Sequence, residues 1–358
     1  MIKNKETQQQ GTILIMALWT LGFLSIFAVA IGMHVRQKIT VLSRLEKRSA
    51  LQAVAESGVR KAKAVFDSRH LGRGLPVSGS HKQAWFNDPF LFRAQEIGPG
   101  SFEVGYNEFF LKKAEPERRY GLSDEERRVN INTADRNILA RLIAQVSPGE
   151  KDRADELARA IIAWREYGDT DIVGFYSEDF YENLEFPYAP KKEPFENLDE
   201  LRLVDGMTDA LFMRLVDFIT VYGEGHVNIN TAPGPVLTAL GLDPATVQKL
   251  LMLRRGKDGL DDTPDDYMFT LYLEHRRLIL PQENNLKKDE QTLIQTLVNR
   301  GVMGVSSSCF RIESVGRLAN SQETMTITCV FDGNSGRIFY WREKRTRPGT
   351  ESALPWTG

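Results

Sequence analysis

The sequence predicts an α+β protein with three parts: a long N-terminal membrane helix, a small α/β core with an antiparallel sheet, and a large all-helical domain inserted between the strands of that core. Three observations lead there. One apolar run near the N-terminus carries no charge and no proline. Strand-like segments lie on both sides of a helical block. A six-residue motif occurs twice within that block.

Composition narrows the function classes. Of 358 residues, 42% are apolar and 26% charged, which excludes wholesale disorder. With 46 Lys+Arg against 48 Asp+Glu the net charge is −2, unlike the basic excess of a dedicated nucleic-acid binder. Two cysteines cannot build a disulfide-dense scaffold or a Cys-rich zinc module. No GxSxG, P-loop, HExxH or dinucleotide-binding glycine pattern occurs, and His226 stands without a nucleophile or metal partner in sequence. No catalytic residue is expected.

The apolar run extends from Thr12 to Met33, about the 20 residues that a hydrocarbon core requires. A polar leader, Met1 to Gly11 with Lys3 and Lys5, precedes it and favours a cytoplasmic N-terminus with the bulk of the chain outside. Ala28-Val29-Ala30 has the small-x-small form of a signal-peptide cleavage site, but the apolar run before it is longer than a signal peptide needs and continues past it. From His34 to Phe66 there is no proline, and Val35, Ile39, Leu42, Leu45, Leu51, Val54, Gly58, Val59, Ala62 and Phe66 recur mostly at steps of three and four. One helix is therefore expected over residues 12–66.

Residues 67–122 read as loop followed by a strand or hairpin arm at Ser101–Leu111, the first part of the core. Residues 123–300 read as the inserted helical domain. Its helices are Arg136–Gln145, Glu150–Tyr167, Asn197–Leu203, Thr208–Val221, Gly234–Ala239, Pro244–Arg255 and Asp289–Arg300. Residues 301–345 return to the core with strands Cys309–Leu318, Glu323–Asp332 and Arg337–Glu343, and 346–358 form a polar tail. On neighbouring strands, Cys309 and Cys329 could form a disulfide or remain two half-buried thiols; a register slip of one residue would put them on opposite faces.

The repeat is Val129-Asn130-Ile131-Asn132-Thr133-Ala134, recurring as Val227-Asn228-Ile229-Asn230-Thr231-Ala232. Thr133 and Thr231 stand where N-caps of the following helices are expected, and the asparagines suit tight turns.

The leader ending at Gly11 and the helix that starts at once resemble the type IV pilin and pseudopilin class. The class resemblance implies prepilin peptidase cleavage between Gly11 and Thr12. It also implies a glutamate at the fifth mature position; here that residue is Met16. The repeat, Trp164 followed by acidic residues, Glu178-Asp179-x-Tyr181, and Glu200-Leu201-Arg202-Leu203-Val204-Asp205-Gly206 resemble more specifically the minor pseudopilin K family of type II secretion. The absent fifth-position glutamate is typical of that family. The resemblance covers nearly the whole chain. It implies a pseudopilin core carrying the helical domain, an inner-membrane anchor with the bulk in the periplasm of a Gram-negative cell, and a place at the filament tip. The implied partners are minor pseudopilins I and J, the major pseudopilin filament and prepilin peptidase, with no nucleic acid. It further implies Ca²⁺ in the helical domain, for which Glu166, Asp169, Asp171, Glu178 and Asp179 are the candidate oxygen ligands. The second acidic stretch, Asp258 to Asp266, reads as a solvated loop. No other cofactor is expected.

A different reading rests on Leu203–Thr208, which is similar to the helix-hairpin-helix turn of DNA-binding modules and would make the chain a membrane-anchored competence or type IV pilus DNA receptor. Thr208 occupies the place of the second glycine, and Asp205 and Asp209 flank the turn, where phosphate binding requires net positive charge.

Overall fold

The computed structural model describes residues 6–70, 85–109, 116–166, 181–259, 263, 265–272, 276–281, 284–319 and 321–347, with side chains from residue 13 onward and excepting 69 and 70. The chain divides into two compact units, residues 1–53 and 54–358. Helix α1 (Glu6–His70) contributes to both.

In the first unit α1 is apolar on every side from Ile13 to Met33, and those side chains are exposed. Its few hydroxyls turn back onto the helix: Thr20 Oγ1 donates to Ala17 O at 2.9 Å and Ser25 Oγ to Leu21 O at 2.8 Å. Such back-bonding satisfies polar groups where no water is available. By length and composition this helix can cross a membrane.

In the second unit, Val54, Ala55, Val59, Ala62 and Phe66 form the buried face of α1. Close approach of helix and sheet is set by two glycines. A Cβ on Gly58 would lie 2.8 Å from the Phe102 ring, and one on Gly316 2.7 Å from Ala55 N. Ser314 Oγ uses the space to donate to Ala55 O at 2.8 Å. After α1 come a short helix α2 (Pro89–Phe92), strands β1 (Gln95–Ile97) and β2 (Gly100–Val104), the hairpin β3 (Tyr106–Glu108) and β4 (Glu117–Arg119), and β5 (Ser123–Asp124). The region read from sequence as loop holds Trp85, Phe86 and Phe92, all fully buried. Trp85 packs edge-on to Phe66 and Phe310, with ring centroids 5.6 and 5.0 Å away.

Between β5 and the last three strands lies a helical unit built twice over. The first copy runs β6 (Val129–Asn130), α3 (Arg136–Val146), α4 (Ala154–Arg165), α5 (Asp209–Leu215) and β7 (Ile219–Thr220), with β7 parallel to β6. The second runs β8 (Val227–Asn228), α6 (Gly234–Ala239), α7 (Pro244–Arg254), the hairpin β9 (Thr270–Tyr272) and β10 (Arg277–Ile279), α8 (Lys288–Asn299) and β11 (Met303–Gly304), with β11 parallel to β8. One continuous apolar core, including Leu142, Trp164, Leu201, Ile229, Leu250 and Val298, serves both copies. The helical unit therefore ends with β11, past the boundary at residue 300 that the helical pattern suggests. The helix read over Thr208–Val221 stops at Leu215, because the following Phe218-Ile219-Thr220-Val221 is aromatic and β-branched and its Ile219 and Thr220 pair with β6.

The chain then returns to the sheet with β12 (Cys309–Leu318), β13 (Thr324–Asp332) and β14 (Ile338–Thr346). The order is β1-β2-β12-β13-β14, antiparallel throughout, and β5 also pairs with β12. This is the α+β architecture expected, with the helical unit inserted between β5 and β12. Cys309 and Cys329 are free and buried. Cys309 stands opposite Asp332 and Cys329 opposite Ile312, three positions out of register, so their side chains take opposite faces of the sheet and the envisaged disulfide does not form.

Candidate functional site: the junction between core and helical unit

The helical unit is joined to the sheet through residues 123–128, Ser-Asp-Glu-Glu-Arg-Arg. All six are buried, and Asp124 and Glu125 are 0% exposed. Burying charge costs several kcal/mol per ion unless every oxygen and nitrogen finds a partner, and here the partners come from both parts of the protein. Asp124 accepts from Thr231 Oγ1 at 2.5 Å, Asn228 Nδ2 at 3.0 Å, Ser307 Oγ at 2.6 Å and Glu126 N at 2.8 Å. Glu125 accepts from Thr220 Oγ1 at 2.5 Å, Arg128 at 3.2 Å and Arg311. Glu126 accepts from Ser308 N and Oγ at 3.0 and 2.5 Å and from Cys309 N at 3.2 Å. Arg127 donates to Glu108 at 2.6 Å and lies 5.2 Å over the Tyr106 ring. Arg128 donates to the carbonyls of Asp124 and Asp217.

The electrostatics follow from burial and pairing. Burial pushes Asp124 above the usual carboxylate range despite its four donors. Burial, with the charge of Asp124 second, pushes Glu126 up to about 8. For Glu125 burial acts upward too, but Arg311 and Arg128 outweigh it and hold the carboxyl low. Burial holds Arg128 down to about 10. Burial also raises the thiols, Cys309 to about 12 and Cys329 to about 11, so neither is a reactive thiolate near neutral pH.

The repeated motif is the other half of the junction, and its two copies are built alike. Asn130 Oδ1 accepts from Asn132 N at 2.9 Å, and Asn228 Oδ1 from Asn230 N at 3.0 Å. Asn132 clamps the backbone of Phe195, donating to its O at 3.0 Å and accepting from its N at 2.8 Å. Asn230 clamps Phe269 with the same two bonds at 3.0 and 2.8 Å. Arg165 closes the first turn by donating to Ile131 O and Ala134 O, and Arg254 closes the second at Ile229 O and Ala232 O. The threonines do not cap the following helices as expected. Asp135 caps α3, Pro233 occupies the cap position of α6 without a side-chain bond, Thr133 donates to Gly225 O and Thr231 to Asp124. The copies diverge in purpose at their first asparagine: Asn130 Nδ2 donates to Tyr222 O just past the strand that closes its own repeat, whereas Asn228 reaches the junction carboxylate.

Of the remaining candidates, Gly11 and Thr12 lie within α1, and Met16 is exposed on it. Glu166 follows α4 and pairs with Arg165 at 3.0 Å, while Asp169, Asp171, Glu178 and Asp179 lie outside the described residues. In the second acidic stretch, Asp258, Asp265 and Asp266 bring carboxylate oxygens within 4.8 Å of one another. Asp265 is already engaged by Lys257 N at 2.6 Å and Thr263 Oγ1 at 2.7 Å, which hold its carboxyl down to about 2, so the group closes a turn. In the hairpin-like turn, Thr208 caps α5, and Arg202 pairs with Asp209 and lies 4.1 Å over the Phe212 ring. Arg202 is thus directed to an acid and a ring of its own domain, and Arg153, which reaches Gly206 of the turn, pairs with Glu150 at 3.4 Å.

Residues 120–224, which contain the first repeat, match the family model for type II secretion system (T2SS) protein K. The chain is 26% identical over 273 residues to the type II secretion system protein K of Pseudomonas aeruginosa, spanning 74% of this chain and 77% of that protein. It is 27% identical over 126 residues to the protein K of Pectobacterium carotovorum, spanning 33% of this chain and 38% of that protein. By these matches the chain is similar to the type II secretion system protein K family. The protein K family supplies a structural component of the secretion machine, a minor pseudopilin. The fold agrees with the GspK-GspI-GspJ complex of the enterotoxigenic Escherichia coli type 2 secretion system: a TM-score of 0.54 at 15% identity, covering 87% of this chain and 100% of that one. Sequence reasoning found the repeat but not residues 123–128. The one signal there was a run of three acids and two arginines that nearly cancels its own charge directly before the motif.

Proposed function

We propose that this protein starts assembly of the pseudopilus and caps its tip, so that folded proteins are pushed outward through the outer-membrane channel. The observation that carries this reading is Met16. In the pilin class the fifth mature residue is a glutamate that neutralises the N-terminal amine of a neighbouring subunit in the apolar filament core. A subunit with a thioether there cannot pair with an amine ahead of it, and an unpaired buried charge is costly. The tip is the position with no subunit ahead. The two-fold helical unit, seated on the sheet by a fixed junction, adds bulk that suits an end better than a shaft.

In this reading prepilin peptidase cuts between Gly11 and Thr12, the apolar half of α1 waits in the inner membrane, and the second unit stands in the periplasm. The GspI and GspJ of the similar complex make minor pseudopilins I and J the natural partners. Calcium bound around the segment after α4 belongs to the same reading and predicts a thermal midpoint raised by Ca²⁺ and lowered by EGTA; a midpoint indifferent to both removes calcium from it. N-terminal sequencing after co-expression with prepilin peptidase tests the filament reading. A mature chain beginning at Thr12 supports it. A chain left uncut, or cut after Ala30, contradicts it.

A further inference from the structure

The six-stranded sheet ends at β14, and among the described residues no strand pairs with its outer side. Nine residues long, β14 is paired to β13 along its other side. Alternate backbone N–H and C=O groups of such a strand point away from the sheet, ready to pair with another chain. Its two halves differ. The first is apolar and exposed: Ile338 at 47%, Phe339 at 44% and Trp341 at 40%. The second is basic. Residues 337–347 hold Arg337, Arg342, Lys344, Arg345 and Arg347 against the single acid Glu343, a net charge of +4. Two acids reach this strand from elsewhere, Glu323 to Arg345 and Arg347, and Asp199 to Arg342 at 3.4 Å, and the strand stays basic after both.

We propose that β14 is a docking edge for an extended acidic segment of another protein, which adds a strand to the sheet. Strand addition draws affinity from backbone bonds and specificity from side chains that alternate above and below the sheet. Charge selects the occupant. A second copy would bring +4 against +4, and like charges facing each other across a strand pair destabilise it. Arginine and lysine on an edge thus bar self-pairing, the usual means by which exposed edges are kept from aggregating. They leave the edge open to acid. The exposed Ile338 and Trp341 have no such protective purpose, and they offer an apolar anchor beside the basic stretch, next to Phe339, whose ring stacks on Tyr222 with centroids 6.3 Å apart. The segment that fits is one that alternates apolar and acidic residues.

The test uses the full chain in mild detergent and two blocked eight-residue peptides, one alternating valine and glutamate, the other valine and lysine. Amide hydrogen exchange is read over residues 338–346. At saturation the acidic peptide slows the outward-pointing amides of this stretch about tenfold and the basic peptide leaves them unchanged. In the R342E/K344E variant, whose changes are both on exposed side chains, the preference reverses. Equal protection by both peptides, or by neither, overturns the proposal. So does protection that grows with protein concentration in the absence of peptide, which assigns the edge to a second copy. Slow exchange that is released by ending the chain after Arg347 also overturns it, because the protein's own tail then holds the edge.

Discussion

Asp124 accepts four hydrogen bonds, three of them from side chains of the second repeat and the segment that follows it. Asp124→Ala strands Asn228, Thr231 and Ser307 in a dry interior and is expected to cost about 3–5 kcal/mol, read as a lowered denaturation midpoint of the full chain in detergent. Glu126 sets a pH dependence. Its ordinary value is 4.5 and its folded value about 8, so between those limits the folded state keeps a proton that the unfolded state has released. Its contribution to stability is therefore fully present below pH 4.5 and is lost as pH rises through 8. Glu125, held low by its arginines, acts in the opposite direction, contributing stability that is lost on acidification. The thermal midpoint is expected to fall between pH 6 and pH 9, less steeply in Glu126→Gln; a wild-type profile flat over that range contradicts the assignment. At this scale the sequence was least legible. Five consecutive charges look like a solvated surface, and what makes them core, the hydroxyls of Thr220, Thr231, Ser307 and Ser308, arrives from up to 183 positions away.

At the scale of elements, each motif copy holds a strand, a turn and the start of a helix together through one asparagine that grips a distant backbone. Asn132→Ala removes two such bonds, and Asn230→Ala removes the equivalent two and a third, from Nδ2 to Val305 O at 3.1 Å; each is expected to cost about 1–3 kcal/mol. The loss should be larger at Asn230, which is buried and holds the extra bond, than at half-buried Asn132; no loss at either would show that the shared clamp is not energetic. Elements with a strong period or pattern were readable. Helix α6 and strand β12 have the bounds expected, since Gly-Pro opens the one and alternation marks the other. The threonines misled because a hydroxyl before a helix serves equally to bond its cap or a neighbouring chain, and local sequence does not distinguish the two. The buried Trp85 and Phe86 misled because their partners, Phe66, Tyr106 and Phe310, are spread along the chain.

At the scale of the molecule, strands on both sides of a helical block announced the insertion, and the sheet order β2-β12 with β5 on the same strand shows how it is made: the chain leaves the sheet after β5 and re-enters at β12. The duplication within the inserted unit was visible as six identical residues. The parallel strand that closes each copy was not, because two-residue strands carry too little pattern to announce themselves. A helical unit of this size, fixed to the core through a buried and densely hydrogen-bonded charged junction, is expected under the proposed function to be carried at one end of the filament. Imaging of assembled pseudopili with the helical unit labelled tests this most directly. The account predicts label at a single end of each filament; label distributed along the shaft would contradict it.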